Sequence, residues 1–266
     1  MRDKIKAKFK ELKKQGKKAF IAFITAGDPN LKVTEQLILR LPAFGVDILE
    51  LGVPFSDPLA DGLTIQAASK RALLQKVSLS KILNLLKKMK SRIKVPMVLF
   101  SYFNPIYKLG IKKFAEMASD ADIDGLIIPD LPLEESKEIK EAVDKKGIDL
   151  IFMIAPTTTK KRTEAICRQS RGFIYYVSRI GITGIRKGLP DDIKENIEKI
   201  KKNTTKPVVV GFGISNSRQV KEVKNMNADG VVVGSAIVEL IEKNFRKKNL
   251  LAEIENFINK LKHEDR

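Results

Sequence analysis

Between Ala19 and Val233 short apolar runs, rich in β-branched and aromatic residues, alternate with longer segments whose apolar positions recur at helical spacing. Strands are expected at Ala19–Thr25, Asp47–Leu51, Pro96–Tyr102, Gly125–Ile128, Leu150–Ile154, Phe173–Val177, Pro207–Val210 and Gly230–Val233. Each run is apolar at nearly every position rather than at every second one. That is the pattern of parallel strands buried on both faces. Asp47, Asp124 and Asp229 mark strand entry, as do Pro96 and Pro207 at first strand positions, where proline is tolerated.

No glycine-, serine- or proline-rich linker breaks the alternation, and its repeating unit is βα. Eight such units favour a closed barrel over a doubly wound open sheet, and 266 residues suit one barrel, which takes about 250. The fold expected is α/β: a single (β/α)8 TIM barrel over residues 1–266. Residues 1–15 read as an extra amphipathic helix covering the barrel, with Ile5, Phe9 and Leu12 on one face, and residues 260–266 as a polar tail.

Composition narrows the function classes. The longest apolar runs, such as Val95–Phe100, are strand-sized, and the N-terminus lacks a secretory apolar core, so a cytoplasmic protein without a membrane span is expected. The net charge of +18 comes from lysines spread over nearly every predicted helix rather than gathered with aromatics, which argues against a nucleic-acid partner. Cys167 is the only cysteine, so no internal disulfide can form.

Barrel chemistry sits at the C-terminal strand ends and in the loops that follow. None of the eight predicted strands contains a lysine, which disfavours a Schiff base, and the single histidine, His263, lies in the tail, which removes histidine bases and histidine-rich metal sites. What remains is Glu50, a lone carboxylate in the apolar run Asp47–Leu51. It either makes a structural hydrogen bond to a neighbouring loop or does chemistry. The segment Gly52–Gly62 that follows is long for a βα connection and carries Asp57 and Asp61. Asp61, folded back beside Glu50, would complete a pair of carboxylates in different environments, while Asp57 reads as a turn former or partner-facing residue. One of Tyr175 and Tyr176 must face the interior, as core filler or as a catalytic neighbour. Glycine-rich turns at Gly211–Ser215 and Gly234–Ile237, the second opening into a helix, suit a phosphate, and Gly181–Gly184 reads as a mobile loop.

The segments Leu49–Gly62 (LELGVPFSDPLADG), Ser178–Gly184 (SRIGITG), Gly211–Ser215 (GFGIS) and Gly234–Val238 (GSAIV) resemble the tryptophan synthase α subunit family, as do Thr25–Pro29, Pro129–Pro132 and Ala155–Thr158. The resemblance implies metal-independent retro-aldol cleavage of indole-3-glycerol phosphate to indole and glyceraldehyde 3-phosphate. It also implies an α2β2 heterotetramer in which indole passes to a β subunit holding the pyridoxal phosphate, this chain carrying no cofactor. By position, Glu50 is implied as general acid–base and Asp61 as acceptor of the indole N–H, with Tyr175 beside Glu50 and Thr183 closing a loop. Gly184, Gly213, Gly234 and Ser235 are implied to hold phosphate. Phe23, Phe100, Ile127 and Phe212 are implied for the indole pocket, and Pro54, Asp57, Tyr102 and Asn104 for the partner face. Ala22 and Leu63 replace prolines common in the family, and Phe100 replaces a smaller aliphatic residue. An alternative of another class is a subunit that chiefly binds and activates its partner.

Overall fold

The structure is a computed structural model and describes residues 3–177, 192–211, 213–247 and 249–263. Helix α1 (Lys4–Lys14) precedes β1 (Ala19–Thr25), α2 (Leu31–Arg40), β2 (Ile48–Gly52), α3 (Leu63–Leu74), α4 (Leu79–Met89) and β3 (Met97–Phe100). There follow α5 (Phe103–Leu109), α6 (Ile111–Asp120), β4 (Gly125–Ile127), α7 (Lys137–Asp144), β5 (Asp149–Ile151), β6 (Met153–Ile154), α8 (Lys160–Gln169) and β7 (Ile174–Val177). The chain ends with α9 (Ile193–Lys201), β8 (Val208–Gly211), α10 (Ser217–Asn225), β9 (Gly230–Val233), α11 (Ser235–Asn244) and α12 (Leu250–His263).

All strand pairs are parallel, in the order β5-β4-β3-β2-β1-β9-β8-β7-β6. The two ends of that order, β5 and β6, are consecutive in the chain and separated only by Phe152, so the sheet closes into the (β/α)8 barrel. Nine strands appear where eight were expected because the run Leu150–Ile154 breaks in the middle. The Phe152 N–H leaves the ladder and donates to Ser170 Oγ at 3.0 Å, and that hydroxyl donates onward to the Phe173 carbonyl at 3.0 Å. Ser170 thereby satisfies both buried backbone groups at the seam.

The apolar residues divide into two cores, as strands buried on both faces require. Alternate strand residues, including Ile21, Phe23, Ile48, Val98, Ile127, Ile151, Phe173 and Val209, fill the barrel interior. Their neighbours, such as Phe20, Ile24, Leu49, Leu99 and Val210, pack outward against the helices. The strand-entry aspartates hold the register at the N-terminal end. Asp47, Asp124 and Asp229 accept the backbone N–H groups of Phe20, Met97 and Val208 at 2.8, 2.9 and 2.9 Å. Pro96 and Pro207 each stand one residue ahead of their strands.

Helix α1 closes that same end, burying Ile5, Phe9 and Leu12, with the Phe9 ring 5.8 Å from that of Phe173. A Cβ on Gly125 would lie 2.9 Å from Ile5 Cδ1, so glycine is what admits the isoleucine into the barrel. Residues 260–263, expected within a polar tail, belong to helix α12. Helix α12 runs to His263, Leu261 is buried, and Lys262 donates to the Gly45 carbonyl at 2.6 Å. Among the described residues no helix is long and apolar enough to cross a membrane.

Candidate active site

Glu50 sits in the middle of β2, level in the sheet with Phe23, which lines a cavity at the C-terminal end of the barrel. Strand alternation turns Ile48 and Glu50 inward, and the register sets Glu50 level with Phe23 of β1 and Val98 of β3. Its side chain is fully buried, and neither carboxylate oxygen has a hydrogen-bond partner among the described residues. The structural hydrogen bond considered for Glu50 is therefore not made there. Burial alone raises its pKa to about 8, so at neutral pH Glu50 carries a proton. An unpartnered buried carboxyl costs stability and is a feature of working sites. Thr25 Oγ1, on the neighbouring strand, is buried and likewise without a partner among the described residues; sequence pattern gave no signal for it.

Asp61 ends the loop between β2 and α3 and reaches the cavity from above. Its Oδ2 accepts the Tyr102 hydroxyl proton at 3.1 Å, and the same hydroxyl accepts the Ala60 N–H at 2.9 Å. Gln66 Nε2 donates to the Asp61 carbonyl at 2.8 Å, which holds the loop against the first turn of α3. Burial raises the Asp61 pKa to about 6 and the Tyr102 bond opposes the rise, so Asp61 is ionised at pH 7. Two carboxyl groups near one cavity thus rest in opposite protonation states.

Of the two tyrosines, Tyr175 faces inward and lines the cavity, while Tyr176 faces out and accepts a hydrogen bond from Asn196 Nδ2 at 2.9 Å. Burial, with the Glu50 and Asp61 charges adding to it, pushes the Tyr175 phenol well above its ordinary pKa, so it stays protonated. A Cβ on Gly211 would lie 2.2 Å from the Tyr175 hydroxyl, so only glycine fits beside it.

The cavity, about 50 Å³ in volume, has an apolar side and a glycine side. Phe23, Phe100, Ile65 and Val232 form the apolar side, with the Phe23 and Phe100 rings edge-on at 5.8 Å. Ile127 is fully buried and off the cavity wall, level with Phe100 in the sheet. On the glycine side stand Gly213, Gly234 and Ser235. Gly213 has φ +79°, a conformation that favours glycine. Gly234 precedes α11 and accepts the N–H groups of Ile237 and Val238, and the first-turn amides of such a helix have no acceptor within it. Thr183, Gly184 and Phe212 lie outside the described residues.

The expected partner face divides. Asp57 and Asn104 are exposed, whereas Pro54 and Tyr102 are buried within the chain. The Tyr102 ring packs on Phe55 at 5.1 Å, and its hydroxyl is spent on the Asp61 loop. Asp57 takes its hydrogen bond from the Ser56 hydroxyl rather than closing an Asx turn. Pattern reading missed three exposed apolar side chains on or near this loop: Leu59, Leu63 and Tyr107.

A sequence profile described as tryptophan synthase alpha chain matches residues 9–266. The alpha chain of Geobacter sulfurreducens is 48% identical over 259 residues, covering 97% of each chain, and that of Thermoanaerobacter sp. (strain X514) is 46% identical over 260 residues, covering 98% of each. The chain belongs to the tryptophan synthase alpha chain family. The alpha-chain fold agrees with solved structures. The alpha subunit from Legionella pneumophila superposes with a TM-score of 0.88 at 33% identity, covering 98% of this chain and 97% of that one. The subunit in the a2b2 complex from Pyrococcus furiosus superposes with a TM-score of 0.84 at 34% identity, covering 91% and 97%. This alpha chain is a carbon–carbon lyase of tryptophan biosynthesis.

One packing contact yields a test of the apolar side. A Cβ on Gly52 would lie 2.5 Å from Phe23 Cζ and 2.9 Å from Cε2. Gly52→Ala is expected to displace the Phe23 ring and narrow the apolar side, raising KM several-fold for an overpacking cost of about 1–3 kcal/mol. Steady-state KM and the melting temperature check it. An unchanged KM would show that the ring does not shape the pocket.

Proposed function

We propose that Glu50 and Asp61 divide the proton chemistry by which this alpha chain cleaves indole-3-glycerol phosphate to indole and glyceraldehyde 3-phosphate. The observation that carries the assignment is the fully buried Glu50 carboxyl, protonated and unpartnered among the described residues, level with Phe23 in the wall of a cavity that Asp61 also lines, ionised.

Glu50 delivers its proton to indole C3, which makes that carbon tetrahedral and the ring nitrogen an iminium-type N–H. The ionised Asp61 accepts this N–H and stabilises the developing cation. The Glu50 carboxylate then takes the proton of the glycerol hydroxyl on the adjacent carbon. The C–C bond electrons return to the indole ring, the hydroxyl becomes the aldehyde, and Glu50 regains its proton. Tyr175 supports this step as a neutral neighbour of Glu50. Gly213, Gly234 and Ser235 receive the phosphate on backbone N–H groups beside the positive end of α11, with Gly184 assigned to the same task and Thr183 to closing the loop by family position. Phe23 and Phe100 hold the indole, with Phe212 assigned beside them by family position.

Indole passes to a β subunit, which holds the pyridoxal phosphate. Exposed Leu59, Leu63 and Tyr107, next to Asp57 and Asn104, support that docking face and with it a second role as activator of the partner. We place the protein in the cytoplasm with the rest of amino-acid biosynthesis.

The two protonation states predict a bell-shaped pH profile for kcat/KM. Asp61 loses its charge as pH falls through about 6, and Glu50 loses its proton as pH rises through about 8, so activity declines on both sides. The alkaline limb is the cleaner, since the substrate phosphate itself takes up a proton near pH 6. Indole release measured from pH 5 to 9, alone and with added β subunit, tests it. A rate that stays level from pH 7 to 9 would remove Glu50 as the acid.

A further inference from the structure

We propose that Arg71 is a positioning residue that fixes the spacing between the Asp61 end and the phosphate end of the active site, by tying α3 to the turn after β1 through Asp28 and to α11 through Glu242. The proposal rests on the assignment of Asp61 and the α11 amides to the two ends of the substrate.

Asp28 lies in the turn after β1 and is 1% exposed. Arg71, in the last turn of α3, grips it with two parallel hydrogen bonds, Nε to Oδ1 at 2.7 Å and Nη2 to Oδ2 at 2.8 Å. The third nitrogen, Nη1, reaches Glu242 Oε1 on α11 at 2.6 Å. One rigid, planar cation therefore joins three elements. The fork onto buried Asp28 is the strong link, and the arm to Glu242, which is 44% exposed, is the weaker one.

Both joined helices enter the cavity at their N-termini, α3 with Gly62 directly after Asp61, and α11 with Gly234 and Ser235. Arg71 lies about 12 Å behind the start of α3 and Glu242 about 10 Å behind the start of α11, at about 1.5 Å per residue. A swing of α3 by about 5° around that point would carry its first residue about 1 Å, a displacement able to cost about 10² in rate. Side-chain interlock does little to prevent such a swing, since the buried face of α3 consists of Ile65, Ala68, Ser69 and Ala72, three of them small. Where small residues leave a helix smooth, a directional polar tie supplies the register.

The test uses the full chain with its β subunit. Arg71→Lys keeps the charge but loses the fork, and is expected to stay folded and lower kcat about tenfold. Competitive inhibition by inorganic phosphate should stay within about twofold of wild type, since the amides of α11 remain intact. Glu242→Gln, on the exposed arm, should stay folded and show the same signature at about threefold, and the double variant should be no slower than Arg71→Lys because both act on one link. Wild-type kcat in Arg71→Lys, additive losses in the double variant, or phosphate inhibition weakened in step with kcat would each overturn the proposal. Asp61→Asn run alongside separates the two readings: if it is inactive while Arg71→Lys is not impaired, only the tie is wrong, and if it turns over normally, the site assignment beneath it fails.

Discussion

Replacing Glu50 with glutamine is expected to lower indole release by about 10³-fold, within the range of general acid–base catalysis, and at the same time to stabilise the folded chain. Glutamine has the shape of the protonated carboxyl but cannot give a proton to carbon or take one from the glycerol hydroxyl. The stability gain follows from linkage. The unfolded carboxyl ionises from its ordinary value of 4.5 upward, whereas the buried one holds its proton to about 8. Between those values the native state binds more protons than the unfolded state, so the wild type loses stability as pH rises through this window and below pH 4.5 loses none. At pH 7 the handicap is roughly 3 kcal/mol. Glu50→Gln removes it, so its melting temperature should exceed that of wild type at pH 7 and match it near pH 4. Thermal melts at the two pH values check this. A variant that is both inactive and less stable at pH 7 would mean that the buried carboxyl has a structural partner.

Asp61→Asn is expected to cost about 10²–10³ in kcat with KM little changed, the scale found when one preorganised electrostatic partner of a transition state is removed. The asparagine oxygen can still accept the indole N–H and the Tyr102 hydroxyl proton, so binding and loop shape survive. What it lacks is the negative charge that offsets the cation formed when C3 is protonated. Steady-state rates at saturating substrate separate the two quantities. A rise in KM at unchanged kcat would make Asp61 a binding residue only.

Much of this was readable in the sequence, for reasons specific to a barrel. Strands buried on both faces are apolar throughout, so eight runs stood out, and a carboxylate such as Glu50 inside one of them had few bland explanations. The strand-entry aspartates were visible as a repeat, and their hydrogen bonds to neighbouring strands explain why it recurs. Other features depend on partners far away in the chain. The break at Phe152 is set by the hydroxyl of Ser170, and the Arg71 tie joins residues 43 and 171 positions apart. Alternation showed that Tyr175 and Tyr176 face opposite ways but not which way the barrel lies. The burial of Tyr102 and Pro54 was not legible because loop composition says nothing about a loop that folds back on its own barrel.

The most direct test of the account is the single-turnover rate of indole-3-glycerol phosphate cleavage by wild type, Glu50→Gln and Asp61→Asn, each saturated with β subunit so that partner activation is equal. The prediction is a loss of at least about 10²-fold in both variants with their folds intact. Indole release by either folded variant within about threefold of wild type would contradict it.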